Sequence, residues 1–456
     1  MSRLDAWRAS AREVSVAGLA RSGTAAARLL AARGIRVYVS DSGDTEVLRA
    51  TAAALRAELG AMVTVDAGGH DLARIRHSAG LVLSPGIPPD AAVVRAAIDA
   101  AVPVLAEAQL GLDAMADVPA VVVSGTNGKT TTTALADHLL RVDGRRSVAA
   151  GNIGNPLSAV ALAEPRPEWL VVELSSFQLH DCPDLSPTVG ILTNLAPDHL
   201  DRYPSLAAYY ADKARLFTNA GATSIWISNL YDIDSRTMVS RVAGRHLTFS
   251  TADGTRADAW YDRGGEQLML AGQPLLARSE LPLLGDHNVA NALAASLALH
   301  AVGVPHSILA EGLAAFRPLR HRMEPVREVD GVLWINDSKA TNVASTRVAI
   351  QAMTRPFVLL LGGRHKGEPY TDLVGPLCEF GVAVIAYGEA GDLIEHDLGP
   401  AIRVVRGTTF EDVVIKARVL APAGGAVLLS PACSSYDMFD NYEQRGATFR
   451  SLVEAM

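Results

Sequence analysis

Val121-Val122-Val123-Ser124-Gly125-Thr126-Asn127-Gly128-Lys129-Thr130-Thr131-Thr132 carries an apolar, strand-length run into a glycine-containing loop and on into the start of a helix. Strand, glycine loop and helix in that order aim backbone N–H groups and a helix N-terminus at an anion. Lys129 would reach the outer phosphates of a nucleotide, and a hydroxyl of Thr130 or Thr131 would reach Mg²⁺. Val123 stands where the strict phosphate-loop pattern has its first glycine. A strand ending in a glycine turn is also common without any ligand, which is the structural alternative at this position.

On the N-terminal side, Val14-Ser15-Val16-Ala17-Gly18 reads as a strand entering a glycine turn, and Thr24 to Arg33 as a helix ended by Gly34. Ile35 to Ser40 is the next strand, stopping at Asp41, and Leu81-Val82-Leu83-Ser84-Pro85-Gly86 is a further strand and turn. Strand, helix, strand in this order implies a parallel, doubly wound unit. On the C-terminal side of the glycine loop, strands are expected at Trp169 to Glu173, Val189 to Asn194 and Ser224 to Ser228. The polar stretch from Ser250 to Gly272 reads as a hairpin insertion. A third unit begins near Arg320, with strands around Val332 to Ile335, Phe357 to Gly362, Val382 to Tyr387 and Val427 to Ser430. The expected fold is α/β in three domains, residues 1–106, 107–318 and 319–456.

The 456 residues are 49% hydrophobic and carry a formal net charge of -8, which argues against nucleic acid as the main partner. Cys182, Cys378 and Cys433 lie far apart, with no zinc-type spacing, a pattern suited to a reducing cytosol. No signal peptide or membrane-length apolar run is visible, so a cytoplasmic protein is expected. Lysine occurs only five times, at 129, 213, 339, 366 and 416, against 41 - 5 = 36 arginines. A lysine kept in that background points to work that arginine cannot do, such as offering an amine that loses its proton.

Several other motifs sit where strands end. Gly18-Leu19-Ala20-Arg21-Ser22-Gly23 with Asp41 resembles a dinucleotide turn lacking its middle glycine, and suits a nucleotide diphosphate or a plain structural turn. Glu173 closes an apolar strand, where ligand and metal sites form above a parallel sheet, although a helix-start charge is the plainer reading. His199, between Asp198 and Asp201, becomes a candidate Mg²⁺ ligand. Spacing alone makes Lys213 a surface lysine on a helix. Asn288 and Asn291 share a helix face and suit either base recognition or capping. His321-Arg322-Met323-Glu324, Asn336-Asp337-Ser338-Lys339, Gly362-Gly363-Arg364-His365-Lys366 and Ser430-Pro431-Ala432-Cys433-Ser434-Ser435 are each placed at the end of an apolar strand, forming a polar rim on one sheet edge.

Taken together these motifs resemble the Mur ligases, from the first glycine turn to Glu443-Gln444-Arg445-Gly446, and so over essentially the whole chain. SGTNGKTTT carries the wider family, which includes folylpolyglutamate synthase. Ser84-Pro85-Gly86-Ile87, NDSKATN and SPACSS bring the resemblance closest to the members that add glutamate to UDP-N-acetylmuramoyl-L-alanine. The resemblance implies an ATP-dependent amide ligase of peptidoglycan precursor synthesis, working through an acyl phosphate. It implies ATP, two Mg²⁺ ions and CO₂ held as a carbamate on Lys213. Partners are then UDP-N-acetylmuramoyl-L-alanine and glutamate, of D configuration in those members, and the expected state is a monomer. The residues alone do not choose between D- and L-glutamate.

Residue by residue, the resemblance implies nucleotide contacts at Gly125, Thr126, Asn127, Gly128, Lys129, Thr130, Thr131, Asn288, Asn291, Arg322 and Asp337. Thr130, Glu173, His199 and Lys213 would serve the metals. Ser22, Asp41 and Gly86 would line the UDP-sugar site, with Asn152 near the sugar. Lys366, Ser435 and Tyr442 would hold glutamate, and Ser42, Ser175, Lys339, Thr341 and Tyr436 would be further substrate contacts. Lys129, His199, Lys213, Arg322 and Lys366 would act in catalysis. Two positions depart from the pattern: Tyr442 replaces a frequent phenylalanine, and Gly43 stands where some members place an arginine near the uracil. The competing readings are a sibling ligase, a nucleotide-binding regulator without catalysis, and a phosphate-loop kinase.

Overall fold

Three apolar runs, Val14–Ala17, Ala120–Ser124 and Phe357–Gly362, each lie inside a different sheet and are buried along their whole length. Burial on both faces is the condition that parallel sheets impose on their strands. The computed structural model describes residues 1–199, 202–252 and 257–456.

The first sheet comprises β1 (Val14–Ala17), β2 (Val37–Asp41), β3 (Val63–Ala67), β4 (Leu81–Leu83) and β5 (Val104–Ala106). All pair in parallel, in the order β3-β2-β1-β4-β5. The order reverses at β1, so a crevice opens between the loops that leave β1 and β4. The helix after β1 runs from Arg21 to Ala32, three residues earlier than the sequence suggests, because the chain turns directly from Ala20 into helical geometry.

The second sheet comprises β6 (Ala120–Ser124), β7 (Ser147–Gly151), β8 (Trp169–Glu173), β9 (Val189–Leu192), β10 (Ile225–Asn229), β11 (Arg245–Ser250), β12 (Ala259–Asp262), β13 (Gln267–Leu270) and β14 (Gln273–Ala277). Its order is β14-β13-β12-β11-β10-β9-β6-β8-β7, parallel from β7 to β12 and antiparallel beyond. The expected hairpin is present as antiparallel β12 and β13, and it is part of the main sheet. Described residues of Ser250 to Gly272 form β12 and β13, which extend the main sheet through the pairing of Phe249 with Ala259. Residues 253–256 of that stretch lie outside the described residues.

The third sheet comprises β15 (Glu324–Val329), β16 (Val332–Asn336), β17 (Phe357–Gly362), β18 (Gly381–Tyr387), β19 (Val404–Arg406) and β20 (Ala426–Leu429), in the order β15-β16-β20-β17-β18-β19. Only β15 is antiparallel. The sequence placed His321–Glu324 after a strand, whereas it precedes β15. Because β15 runs backwards and pairs Glu324 with Asn336, this segment still reaches the edge where β16 ends.

The chain forms two compact units, Met1–Arg278 with Asn291–Leu313, and Ser279–Ala290 with Ala314–Met456. The first holds two sheets, joined where Ala106 N donates to Asp181 O at 2.8 Å and Glu107 Oε1 accepts from Ser158 N at 2.6 Å. Burial raises the Glu107 carboxyl above its ordinary range. Gly23, in the first helical turn after β1, packs against the Gly18 carbonyl so closely that a β-carbon would overlap it. Gly23→Ala is expected to cost about 2 kcal/mol of stability, read as an earlier urea unfolding transition.

Candidate active site

The loop after β6 takes its shape from two glycines, Gly125 at φ +138° and Gly128 at φ +82°. A β-carbon on Gly125 would overlap the Thr193 hydroxyl, and one on Gly128 would overlap Asn291 Oδ1. The loop leaving β9 grips it from the side. Thr193 Oγ1 donates to Asn127 O at 2.6 Å, and Thr126 N donates to Asn194 O at 2.9 Å. The Asn194 side chain both accepts from Asn127 N and donates to Asn127 O, each at 3.0 Å. The Asn291 side chain accepts from the Thr132 hydroxyl at 3.2 Å. Helix Lys129–Val142 then starts with no side-chain cap, and its N-terminus is the kind of end that attracts an anion. Lys129 Nζ lies over the loop, donating to Gly125 O at 2.9 Å and Thr126 O at 2.7 Å.

Neighbouring strand ends bring further candidates to this loop. Glu173 ends β8 and is 1% exposed. Its Oε1 accepts from Asn152 Nδ2 at 2.8 Å, while its buried Oε2 has no hydrogen-bond partner. A buried carboxylate oxygen left without a partner is costly unless a ligand completes it. Lys213 corrects the expectation of a surface lysine: it is 1% exposed, on the same helix face as buried Tyr209. Its Nζ donates to Gly125 O at 2.5 Å and reaches Ser124 Oγ at 3.5 Å. Burial, then the Lys129 charge, hold the Lys213 amine well below its ordinary range, which favours its uncharged form.

His199 adopts φ +55°, with its ring 5.3 Å from Phe177 and 6.1 Å from Tyr209, and its Nε2 3.6 Å from Asp198. Asp201, named beside it in the sequence reading, lies outside the described residues. Ser175 caps helix Ser176–His180, accepting from Gln178 N and donating to Gln178 Oε1.

In the first sheet, Asp41 joins two loops at the crevice: Oδ2 accepts from Leu19 N and Oδ1 from Gly43 N, both at 2.8 Å. Ser22 lies in the first turn of the helix after β1, and Ser42 and Gly86 are exposed on the loops after β2 and β4.

In the second unit, Asn288 Nδ2 donates to Leu284 O at 2.8 Å. Asp337 follows β16 and is buried; its oxygens accept from Ser430 Oγ at 2.9 Å and Met323 N at 3.1 Å, beside Arg322. Burial pushes its carboxyl up to about 7. Lys339 Nζ stands 5.3 Å from the Tyr442 ring, and Lys366 Nζ lies 3.4 Å from Thr341 Oγ1. Ser435 is buried and Tyr436 exposed on the loop after β20. Arg445, fully buried, fastens these loops together by donating to Ser338 Oγ and O and to Cys433 O. Nothing in the local sequence marks Arg445 for this role, or Thr193 and Asn194 as grips on the phosphate loop. The four-residue spacing of Tyr209 and Lys213 was the available signal for their shared inward face.

Residues 12–106 match the Mur ligase MurD-like N-terminal domain, 123–299 the Mur ligase middle domain, and 321–433 the Mur ligase glutamate ligase domain. A UDP-N-acetylmuramoylalanine--D-glutamate ligase of Salinibacter ruber is 39% identical, over 97% of each chain. One of Anaeromyxobacter dehalogenans is 41% identical, over 96% of this chain and 97% of its own. This chain belongs to the Mur ligase family. Among solved structures, MurF from Acinetobacter baumannii matches with a TM-score of 0.64 at 15% identity, over 99% of this chain and 98% of its own. At that identity the likeness speaks for the Mur ligase fold alone.

This Mur ligase also carries a testable electrostatic feature. Asp337 titrates near 7 when folded and near 3.8 when unfolded, so between those values the folded state binds more protons. Stability therefore falls as pH rises through that window. Asp337→Asn is expected to flatten the slope, measured by thermal unfolding of the two proteins from pH 5 to pH 8.

Proposed function

We propose that this Mur ligase joins D-glutamate to UDP-N-acetylmuramoyl-L-alanine, the reaction its full-length relatives are named for, and drives it by cleaving ATP to ADP and phosphate. The observation that carries the reading is the meeting, at one sheet edge, of a phosphate loop with no side-chain cap, a partnerless buried carboxylate oxygen and a buried amine that burial pushes toward its uncharged form. A simple binding protein has no use for that combination.

The residues suit Mg²⁺. Among the described residues no three His, Cys, Asp or Glu side chains form a ready cage. Mg²⁺ is commonly held by one or two carboxylates, with phosphates and waters completing the shell. Glu173 Oε2, Thr130 and His199 are the groups that would hold two such ions, with a carbamate on Lys213. A neutral amine can add CO₂ and release a proton to become that carboxylate-like group, whereas a guanidinium cannot. The ions would neutralise charge on the transferring phosphoryl group.

Amide formation from a carboxylate needs a better leaving group than hydroxide. ATP supplies it by phosphorylating the alanine carboxylate; the glutamate amine then attacks the acyl carbon, and phosphate departs with the C–O bonding pair. The work of the protein is positioning and charge neutralisation. The loop amides from Gly125 to Gly128, with Lys129, Thr130 and Thr131, take the phosphates. Asn288, Asn291, Arg322 and Asp337 take the rest of the nucleotide. Ser22, Asp41, Ser42, Gly86, Asn152 and Ser175 line the UDP-sugar path. Lys339, Thr341, Lys366, Ser435, Tyr436 and Tyr442 hold glutamate, and Lys366 offers its carboxylate a cation. The division is a UDP-sugar domain at 1–106, an ATP domain at 107–318 and a glutamate domain at 319–456, in a monomer working in the cytoplasm.

Phosphate release from ATP with Mg²⁺ and UDP-N-acetylmuramoyl-L-alanine is expected to depend on D-glutamate and to be absent with L-glutamate. Lys213→Arg is expected to lower that rate by roughly 100-fold or more, the scale of losing a group that acts on the transition state. No release with either enantiomer from folded, ATP-binding protein overturns the assignment.

A further inference from the structure

The three loops at the mouth of the first sheet, Gly18–Gly23, Asp41–Asp44 and Ser84–Asp90, contain three carboxylates and a single basic side chain, Arg21. A nucleotide diphosphate entering that crevice brings negative charge into an acidic rim, and these loops offer it one cation. Arg21 opens the helix after β1 and is exposed. One arm of its guanidinium is already engaged, with Nη2 donating to Gly154 O at 2.8 Å.

Gly154 belongs to the loop that follows β7 in the second sheet, and this loop closes on Glu173. Asn152 N donates to Glu173 O at 2.9 Å, and Asn152 Nδ2 to Glu173 Oε1 at 2.8 Å. Gly151 presses so closely on the Glu173 carbonyl that no β-carbon fits between them. The Asn152 amide thereby fixes the carboxylate with Oε2 as its open atom. A continuous set of contacts runs from the diphosphate turn through Arg21, Gly154 and Asn152 to the carboxylate assigned to the metal.

We infer that Arg21 is a positioning residue that couples the UDP end of the substrate to the metal-binding carboxylate. The inference rests on the functional reading above and deepens it. A guanidinium has donors on two sides and can hold a phosphate oxygen while keeping its bond to Gly154 O. Substrate held by Arg21 fixes the Gly151–Gly154 loop, and the loop fixes Glu173. Coupling of this kind is reciprocal: the UDP-substrate tightens the divalent ion and the ion tightens the UDP-substrate by the same factor. An ammonium carries its three donors on one compact centre, so the partners it bridges must lie close together, whereas the planar guanidinium spans a wider gap.

The test is Mn²⁺ binding followed by electron paramagnetic resonance on the full-length protein, without nucleotide, with and without saturating UDP-N-acetylmuramoyl-L-alanine. The wild type is expected to bind Mn²⁺ about tenfold more tightly with the UDP-substrate, within the usual range of coupling between sites. Arg21→Ala and Arg21→Lys are both expected to lose most of that gain, while Arg21→Lys keeps more of the affinity for the UDP-substrate. An undiminished gain in Arg21→Ala overturns the inference, as does a wild type that binds the UDP-substrate with no change in Mn²⁺ affinity. A wild type that does not bind the UDP-substrate at all overturns the functional reading instead. Circular dichroism of each variant separates loss of coupling from loss of fold.

Discussion

Gly125 meets Thr193 with no room for a β-carbon, and what the second sheet offers a nucleotide depends on that approach. It lets the loop after β9 hold Asn127 through Thr193 and Asn194, so the phosphate loop keeps its open shape with no ligand in it. The same glycine turns its carbonyl to Lys213, and burial beside that loop lowers the pKa of the amine. Geometry fixed by one missing side chain thus bears on the electrostatics of another residue far along the chain.

The third sheet solves a related problem with different means. Its glutamate-site candidates come from loops after β16, β17 and β20, and no glycine contact holds all three. A fully buried guanidinium does part of that work: Arg445 donates to the loop of Lys339 and to the loop of Ser435. Burying a cation is expensive unless its donors are satisfied, and the carbonyls of Ser338 and Cys433 meet that condition. Antiparallel β15 adds the segment with Arg322 to the same edge from the opposite chain direction.

The sheet strands were legible where they are apolar on both faces, as at β6, β8 and β17, because burial leaves a continuous hydrophobic run. The strands β11, β14 and β15 were not, since polar residues interrupt their runs, and neither were β7 and β19, the one made of small residues and the other only three residues long. Residues of the phosphate loop could be named from local order alone. Lys213 could not, because a lysine turned inward and one turned outward look alike in a helical stretch until the partner elements are in place. The grips that Thr193, Asn194 and Arg21 provide are side chain to backbone contacts across long sequence separations, and no spacing rule marks them in one chain.

The replacement of lysine by arginine across the chain has a consequence for proteolysis. An endoprotease that cuts only after lysine has five bonds to choose from. Four of them, after 129, 213, 339 and 366, fall inside the candidate site, and the fifth follows Lys416, which pairs with Asp412 on a helix of the third sheet's unit. Digestion of the folded protein therefore works as a footprint: fragments from the site's own bonds report how open each segment of the site is, and the bond after Lys416 serves as the internal reference.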